Sequence, residues 1–236
     1  MRKLFLFTVL TSLVIISACK KTTEQYPTPP LSDYYPLTVG KYITYSLDSI
    51  VYYPSFYTVA SVNSYQVKQV VDAQITDNQG RPSFRIIRYI RSGSTGPWNA
   101  DNTFMATNTG NNLELVENNL RFIKLREPVQ LDNTWKGNSY INYNSQVPYL
   151  KFYYDWDYSY DSLNMPAKIG ALTIDSTIKV NEIDDQTAID RTFSEAKYAK
   201  GIGLVYRSFL YWNKGNANGT FSDASYGYIL KMIDHN

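Results

Sequence analysis

Residues 65–91 read YQVKQVVDAQITDNQGRPSFRIIRYIR. Both ends of this stretch are rich in β-branched and aromatic residues, which favour strands, and the polar cluster at residues 77–80 is typical of a turn. In the second half, Phe84 and Ile86 alternate with Arg85, so one face is expected to be apolar and the other solvated. The stretch therefore predicts an antiparallel β-hairpin and a mainly β fold.

A second hairpin is predicted around Asn118 and Asn119. Asparagine tolerates the positive φ that a two-residue hairpin turn requires. The flanking segments, residues 113–117 and 120–126, read LELVE and LRFIKLR. Both are short and rich in aliphatic residues, as expected for paired strands.

The other segments extend this β pattern along the chain. Strands are predicted at residues 41–53, 103–107, 149–160, 172–183, 204–212 and 226–233. Residues 188–200 fit two structures: Thr192 with Glu195 resembles a helix capping box, whereas Phe193 and Tyr198 fit a strand, which we favour. The predicted fold over residues 34–236 is a single antiparallel, strongly curved sheet or half-barrel with hairpin connections and little helix.

Residues 1–18 have the features of a secretory signal peptide. Arg2 and Lys3 precede thirteen uncharged residues, LFLFTVLTSLVII. At ~1.5 Å per residue, this run is too short to span a bilayer core of ~30 Å as a helix. Ser17 and Ala18 then precede Cys19 in an order that resembles the lipobox of bacterial lipoproteins. The resemblance implies cleavage before Cys19 and lipidation of its sulfur.

Residues 19–33 are expected to form the lipid-bearing cysteine and a proline-rich tether. The prolines favour an extended, semi-rigid path. Two lysines follow Cys19 in place of the aspartate that retains some lipoproteins at the inner membrane, and no clear acidic cluster of the kind linked to surface export follows. The expected location is the outer membrane, where acyl chains such as palmitate would anchor the protein, with the periplasmic face favoured over the cell surface.

The net charge restricts the possible partners of the protein, and the cysteine content excludes disulfide bonds within the folded part. The chain has 23 basic and 21 acidic side chains, and removing Arg2 and Lys3 with the signal leaves 21 of each. A near-neutral protein has no electrostatic footprint for nucleic acid, so no nucleic-acid partner is expected. Because Cys19 is the only cysteine, the folded part has none for disulfides and must be held by packing.

The stretch 149–160, YLKFYYDWDYSY, has the most unusual composition in the chain. As a strand, its alternation would place Tyr154, Trp156 and Tyr158 on one face. These rings would either form a ligand wall that stacks on sugars or lipid chains, or fill the interior of a curved sheet. We favour the second interpretation, because tyrosine is a common strand former.

Elimination argues against an enzyme. His235 is the only histidine and lies beside the C-terminus, so Ser-His and Cys-His arrangements lack a base and a histidine-rich zinc site lacks ligands. Asp155 with Asp157, or Asp184 with Asp185, would remain as glycosidase carboxylates. We interpret both pairs as solvated strand edges. No catalytic residue, cofactor or metal site is expected.

Three short sequences resemble the O-glycosylation sites of Bacteroidetes proteins. Asp48-Ser49-Ile50, Asp161-Ser162-Leu163 and Asp175-Ser176-Thr177 each match aspartate, serine or threonine, then an aliphatic residue or threonine. The acceptors would be Ser49, Ser162 and Ser176. Ordinary turn chemistry explains the same pattern, because aspartate and serine favour local hydrogen bonds, and we prefer that explanation slightly.

Longer segments resemble a group of Bacteroidetes lipoproteins that have no assigned activity. They are YPLTVG at residues 35–40, LRFIKL at 120–125, YAKGIGLVY at 198–206 and IDH at 233–235. The resemblance covers most of the chain after the signal, and it implies a β fold and an envelope location. The AKGIGLV segment is also similar to periplasmic half-barrel proteins that carry lipoproteins.

These observations lead to one leading hypothesis and two alternatives. The leading hypothesis is a lipid-anchored, non-enzymatic binding protein for an apolar or glycan ligand, so the expected partners are the membrane and a lipid or sugar. The first alternative is an accessory subunit that docks another envelope protein. The second is a carboxylate-dependent glycan hydrolase. A ligand cavity would require Tyr154, Trp156 and Tyr158 to line an enclosed pocket, whereas docking would require an exposed patch.

Overall fold

The computed structural model describes residues 28–52, 60–144, 146–214 and 225–236. These residues form helix α1 (Leu31–Tyr34), a 3₁₀ segment (Pro148–Tyr153) and a set of β-strands. The strands are β1 (Tyr42–Tyr52), β2 (Ala60–Thr76), β3 (Pro82–Ser92), β4 (Asn99–Asn108), β5 (Asn112–Glu117), β6 (Leu120–Arg126), β7 (Thr134–Lys136), β8 (Asp157–Ile169), β9 (Leu172–Gln186), β10 (Asp190–Ala199), β11 (Gly203–Asn213) and β12 (Tyr226–His235). The predicted signal peptide, Cys19 and most of the predicted tether lie outside the described residues.

All twelve strands belong to one antiparallel sheet. Its order is β6-β5-β4-β3-β2-β1-β12-β11-β10-β9-β8-β7, so two meanders meet where β1 pairs with β12. The sheet curls until its two edges approach each other: the backbone N–H of Ile123 donates to the carbonyl of Gly137 at 2.7 Å. The indole N–H of Trp135 donates to the carbonyl of Ile123 at 2.8 Å. The predicted strongly curved antiparallel sheet is confirmed, and its closure is nearly that of a barrel.

The two hairpins predicted from the sequence are present. Strands β2 and β3 pair from Tyr65 opposite Ser92 to Thr76 opposite Pro82. Strands β5 and β6 are joined by Asn118 and Asn119 at φ 50° and 63°, the two consecutive positive values of a type I′ turn. Residues 188–200 contain β10, so the strand interpretation of that segment is confirmed.

The strand predicted at residues 149–160 is wrong over most of its length. Pro148–Tyr153 is a 3₁₀ segment, and β8 begins only at Asp157. Asp155 has φ of 61°, which turns the chain out of an extended path. Tyr154, Trp156 and Tyr158 therefore do not share the face of one strand.

Helix α1 covers the end of the curled sheet where β10 runs into β11. Leu31 and Tyr34 are buried, the backbone N–H of Leu31 donates to Glu127 at 3.1 Å, and the backbone N–H of Gly201 donates to the carbonyl of Asp33 at 2.7 Å. Burial of two large side chains stabilises a helix too short to persist alone. Folded contacts thus begin upstream of Tyr34, within the last residues of the predicted tether.

The core lies inside the curl of the sheet. A large cluster spans β1, β2 and β5 to β12, and a smaller one contains Val71, Ile86, Phe104, Ala106 and Leu115. Tyr35 and Leu37, which follow α1, pack against both clusters. Among the described residues, no helix combines the length and the apolar character needed to cross a membrane.

Candidate ligand-binding cavity

A cavity of about 370 Å³ lies inside the curl of the sheet. Its mouth is at the end of the sheet where β1 ends and β12 begins, because the lining residues Val51 and Tyr226 are 39% and 47% exposed there. A second cavity of about 180 Å³ adjoins it. The two share the lining residues Glu117, Asn118, Lys124, Arg207, Tyr226 and Tyr228.

One wall of the larger cavity is apolar. Leu47, Phe104, Leu115 and Leu230 line it, and Phe104, Leu115 and Leu230 also belong to the buried core. Such a wall contacts hydrocarbon or the flat face of a ring without a desolvation penalty.

A buried ion pair reaches the lining through Lys124. Lys124 and Glu182 have side chains 3% and 0% exposed, and the Lys124 ammonium donates to Glu182 Oε1 at 3.0 Å. The other oxygen, Glu182 Oε2, accepts a hydrogen bond from Ser194 at 2.7 Å. Removing charges from water is unfavourable unless they are paired and hydrogen-bonded, and both conditions hold here.

β-Bulges direct both members of this pair inward. Glu114 pairs with Ile123 and Leu113 with Leu125, so Lys124 is the extra residue of β6. Asn181 pairs with Glu195 and Ile183 with Ser194, so Glu182 is the extra residue of β9. A bulge changes the direction of a side chain relative to its strand. These two irregularities place opposite charges from distant strands in contact.

Arg207 and Glu117 form a second pair that borders the cavity. Arg207 Nη1 donates to the two carboxylate oxygens of Glu117 at 3.2 and 3.0 Å. Arg207 Nη2 also lies 3.7 Å from Glu182, so it links the two pairs. We call Glu117, Lys124, Glu182 and Arg207 the interior ion cluster.

Electrostatics keep the two carboxylates of the interior cluster charged. Burial alone would raise the pKa of Glu182, but Lys124 and Arg207 outweigh it and lower that pKa to about 2. Burial also opposes ionisation of Glu117, yet Arg207 and Lys124 lower its pKa as well. Burial, with Arg207 nearby, lowers the pKa of Lys124. The two carboxylates are therefore ionised at neutral pH.

Tyrosines surround the cluster. Burial raises the pKa of Tyr35, Tyr158, Tyr198 and Tyr228, so their hydroxyls stay protonated and can donate hydrogen bonds. The ring of Tyr158 lies 5.6 Å from the Lys124 ammonium, within the range of a cation–π contact. Gly137 makes room for this ring, because a Cβ there would lie within about 2.5 Å of its atoms.

The structure separates the three aromatic residues predicted to bind ligand. Trp156 and Tyr158 line the smaller cavity, both as buried side chains. Tyr154 is 60% exposed and packs edge-to-face on Tyr143, with ring centroids 4.9 Å apart. Tyr154 lines neither of the two adjoining cavities.

The three candidate O-glycosylation acceptors lie on strands. Ser49 is in β1 and lines the larger cavity. Ser162 is half-buried in β8. Ser176 is half-buried in β9, and its hydroxyl donates to Asn164 at 3.4 Å. Their modification remains a prediction.

The carboxylates of Asp155, Asp157, Asp184 and Asp185 are exposed, and three of them bond to basic side chains. Asp155 and Asp157 both accept from Lys136, at 2.5 and 2.9 Å. Asp184 accepts from Arg191 at 3.4 Å. Across the described ranges, no group of three or more potential ligands from histidine, cysteine, aspartate and glutamate comes together.

A second ion cluster lies away from both cavities. Glu114 accepts from Arg81 at 2.8 Å, from Arg121 and from the hydroxyl of Tyr140 at 2.7 Å. Asp77, in the turn between β2 and β3, pairs with Arg81 at 2.7 Å. We call Asp77, Arg81, Glu114, Arg121 and Tyr140 the outer ion cluster.

The interior ion cluster was not predicted from the sequence. Lys124 and Glu182 stand 58 residues apart in the chain, and their contact depends on two bulges that no local pattern shows. The available signal was weak: Lys124 sits among the apolar residues of RFIKL, and Glu182 stands directly before Ile183 in IKVNEI, where apolar and polar residues alternate until Asn181. A charged residue within an apolar strand indicates either an edge or a buried partner.

Comparisons with known proteins give little further information. No protein-family model matches this chain, and no curated protein matches it. The chain is similar to the crystal structure of a Bacteroides fragilis NCTC 9343 protein described as a "putative exported protein with YmcC-like fold". The sequence identity is 10%, the match covers 85% of this chain and 99% of that chain, and the TM-score is 0.42. At this level the comparison assigns neither a family nor a function.

Proposed function

We propose that this protein is a non-enzymatic binding protein of the cell envelope that holds a small amphipathic or glycan ligand in its cavity. The observation that carries the proposal is the cavity of about 370 Å³ with an apolar and a charged wall. Small-molecule sites have volumes of roughly 300–1,000 Å³, with mostly apolar walls and a few placed polar groups. Trp156 and Tyr158 extend this lining into the adjoining space.

The ionisation of the two cluster carboxylates supports binding rather than hydrolysis. A glycosidase needs one carboxylic acid whose pKa is raised, so that it can protonate the leaving group. The pKa of Glu117, in the cavity wall, is lowered, and that of Glu182, behind the wall, is lowered to about 2. Both are bases held by cations, and neither has the character of a general acid.

Membrane attachment is part of the same proposal and rests on the lipobox-like order that ends at Cys19. Two or three acyl chains would hold the protein stably at the outer membrane. The full chain and a Cys19→Ser variant, expressed in a bacterial host fed labelled palmitate, test this directly. Label in the full chain alone, with the variant released from the membrane fraction, is expected. Equal labelling of both chains would contradict lipidation at Cys19.

Native mass spectrometry with solvent extraction tests ligand binding. The full chain purified from a bacterial envelope is expected to carry a co-purifying lipid or glycan. Leu47→Trp places a large side chain in the cavity wall and should abolish that mass. Val62→Trp, at a 57% exposed position of β2, is the matched control and should retain it. Equal ligand content in both variants would place the ligand elsewhere, and no bound mass in any sample would contradict the proposal.

Docking of another envelope protein is a second candidate, and the exposure of Tyr154 favours it. Tyr154 and Tyr143 form an aromatic pair beside the exposed residues Lys136 and Asp155. Exposed aromatic rings recur at protein interfaces. Photo-crosslinking from position 154 in intact cells is expected to capture one partner if docking is the function. Crosslinks to none, with ligand present in the cavity, would favour the binding role alone.

A further inference from the structure

The charges around the cavity cancel. Lys124 and Arg207 balance Glu117 and Glu182 within the interior ion cluster. The remaining cation on the wall, Arg88, donates to Asp101 at 2.6 Å. Glu182 and Asp101 stand behind the lining, so the charges sum to zero only when these paired carboxylates are counted with Arg88, Glu117, Lys124 and Arg207.

A balanced cluster disfavours a charged ligand. An anion would approach Glu117, and a cation would approach Lys124 and Arg207, and in each case one charge would be left without compensation in a partly dry space. A neutral polar group avoids this penalty. It can accept from one partner of a pair and donate to the other without disturbing their charges.

Hydroxyl groups match the atoms that face the cavity. The Glu117 carboxylate accepts only, the Arg207 guanidinium donates only, and the amide of Asn118 does both. Glu117 and Asn118 stand next to each other at the tip of the β5–β6 hairpin, and both line the cavity. A ring with several hydroxyls could bond to all three groups at once, because each hydroxyl both donates and accepts.

The lining beyond these groups would hold an apolar ring face and tail. Tyr226 stands at the mouth, and Phe209 packs on Tyr226 and Tyr228 with centroids 5.1 and 5.5 Å away. Further inside, Phe104 and Leu115 form the apolar wall. Polar atoms near the mouth and apolar atoms further in fit a ligand with a hydroxylated head and a hydrocarbon tail.

We infer that the cavity binds a neutral, hydroxyl-rich head group joined to an apolar chain, as in an alkyl glycoside. This inference rests on the proposed binding function and specifies the ligand class of that site. Glu117 and Arg207 determine the specificity, because their pairing makes the head-group site neutral.

Isothermal titration calorimetry on the full chain tests the inference with four probes. Three of them have an eight-carbon chain with different head groups, and the fourth is the sugar head group alone. They are octyl glucoside below its micelle concentration, glucose, octanoate and octylammonium. Octyl glucoside is expected to bind at least about tenfold tighter than each of the others, since a hydrogen bond to a charged group contributes roughly tenfold in affinity.

Two variants should switch this preference. Glu117→Gln leaves Arg207 unbalanced, so octanoate should gain about tenfold while octyl glucoside weakens by a similar factor. Arg207→Gln leaves Glu117 unbalanced, so octylammonium should gain affinity instead.

Asp72→Asn is the control variant. It breaks the exposed pair with Arg85 on β2 and β3 and should leave all four affinities unchanged. Circular dichroism verifies the fold, and if Arg207→Gln fails to fold, Glu117→Gln decides the result.

The outcomes separate the inference from the proposed function. If octanoate or octylammonium binds the unaltered chain as tightly as octyl glucoside, the neutral-head inference is overturned and the binding function stands. An unchanged preference in Glu117→Gln overturns it as well. If no probe binds up to millimolar concentrations, both the inference and the proposed cavity function are contradicted.

Discussion

The interior and outer ion clusters bury a glutamate to the same extent but differ in what surrounds it. Glu182 has side-chain exposure of 0% and Glu114 of 1%. The cations differ: Lys124 is 3% exposed, whereas Arg81 and Arg121 are 26% and 19% exposed. The arginines of the outer cluster can turn to bulk water when a partner is lost, whereas Lys124 faces only the cavity. Burial of the cation, rather than of the glutamate, distinguishes the two sites.

The two clusters also differ in how many carboxylates Arg81 and Lys124 each contact. In the outer cluster, Arg81 pairs with both Asp77 and Glu114. In the interior cluster, Lys124 forms one ion pair within the described part of the chain, with Glu182 at 3.0 Å. Redundant pairing should make the outer cluster tolerant of substitution. The interior cluster should behave as a single unit next to the cavity.

The same glutamate-to-glutamine substitution in each cluster should give the largest difference in the free energy of unfolding. Glu182→Gln leaves the Lys124 ammonium buried without its carboxylate, which should lower the free energy of unfolding by ~3–5 kcal/mol. Urea denaturation of the full chain, followed by tryptophan fluorescence, measures it. Adding Lys124→Met to Glu182→Gln removes the unpaired charge and should recover part of the loss. A loss below ~1 kcal/mol in Glu182→Gln would show that the buried Lys124 ammonium does not depend on Glu182 for its stabilisation.

Glu114→Gln should cost less, in the range of ~1–3 kcal/mol. Arg81 keeps Asp77, and both arginines reach solvent, so no buried charge is left alone. Urea denaturation followed by tryptophan fluorescence measures this change in the free energy of unfolding. If Glu114→Gln destabilises the protein more than Glu182→Gln does, the exposure of the cations is not what separates the clusters.

Acid should expose the role of Glu182. Its pKa is about 2 in the folded state, against about 4.3 for an unfolded glutamate. Its contribution is fully present above pH ~4.3 and is lost as the pH falls through about 2, because the unfolded state then binds more protons. Free energies of unfolding measured from pH 6 to pH 2 should fall less steeply in Glu182→Gln than in the unaltered chain. Parallel curves would contradict the lowered pKa.

Tyr140→Phe should have the smallest effect, ~0.5–1.5 kcal/mol, because it removes one hydrogen bond to Glu114 and leaves both arginines in place. Tyr140 is about half exposed, so water can replace the lost donor. Thermal denaturation by circular dichroism should show a slightly lower midpoint. A decrease as large as that of Glu114→Gln would mean that the hydroxyl, rather than the arginines, satisfies the carboxylate.

Local signals predicted the hairpins and missed the cluster, and the reason is physical. The turn at Asn118 and Asn119 depends on the φ preferences of those two residues, which are a property of the local sequence. The alternation around Tyr154 was equally local, but Pro148–Tyr153 formed a 3₁₀ segment instead. The alternation in that region therefore did not determine whether an extended conformation was adopted.

The candidate site depends on register, which a single segment does not contain. Lys124 faces Glu182 only because β6 and β9 each carry an extra residue opposite a partner strand. Those partner strands lie elsewhere in the chain, so the inward direction of both charges follows from tertiary pairing. Composition and strand alternation left two roles open for Trp156 and Tyr158, a ligand wall or the filling of the sheet interior. Both side chains are buried and line a cavity, although the strand that was expected to carry Trp156 is absent, and ligand binding by these residues stays a prediction.

The meeting of β1 and β12 at the middle of the sheet has a consequence for how the chain folds. Every other pairing in the described sheet joins strands that follow each other in sequence. A circular permutant that ran from Asn236 through a linker into Thr28, with new termini between β6 and β7, would convert the sheet into one uninterrupted meander. Its contact order would be lower, and folding rates rise as contact order falls. The native chain must instead bring its two ends together, so the ends rather than the hairpins should limit its folding rate.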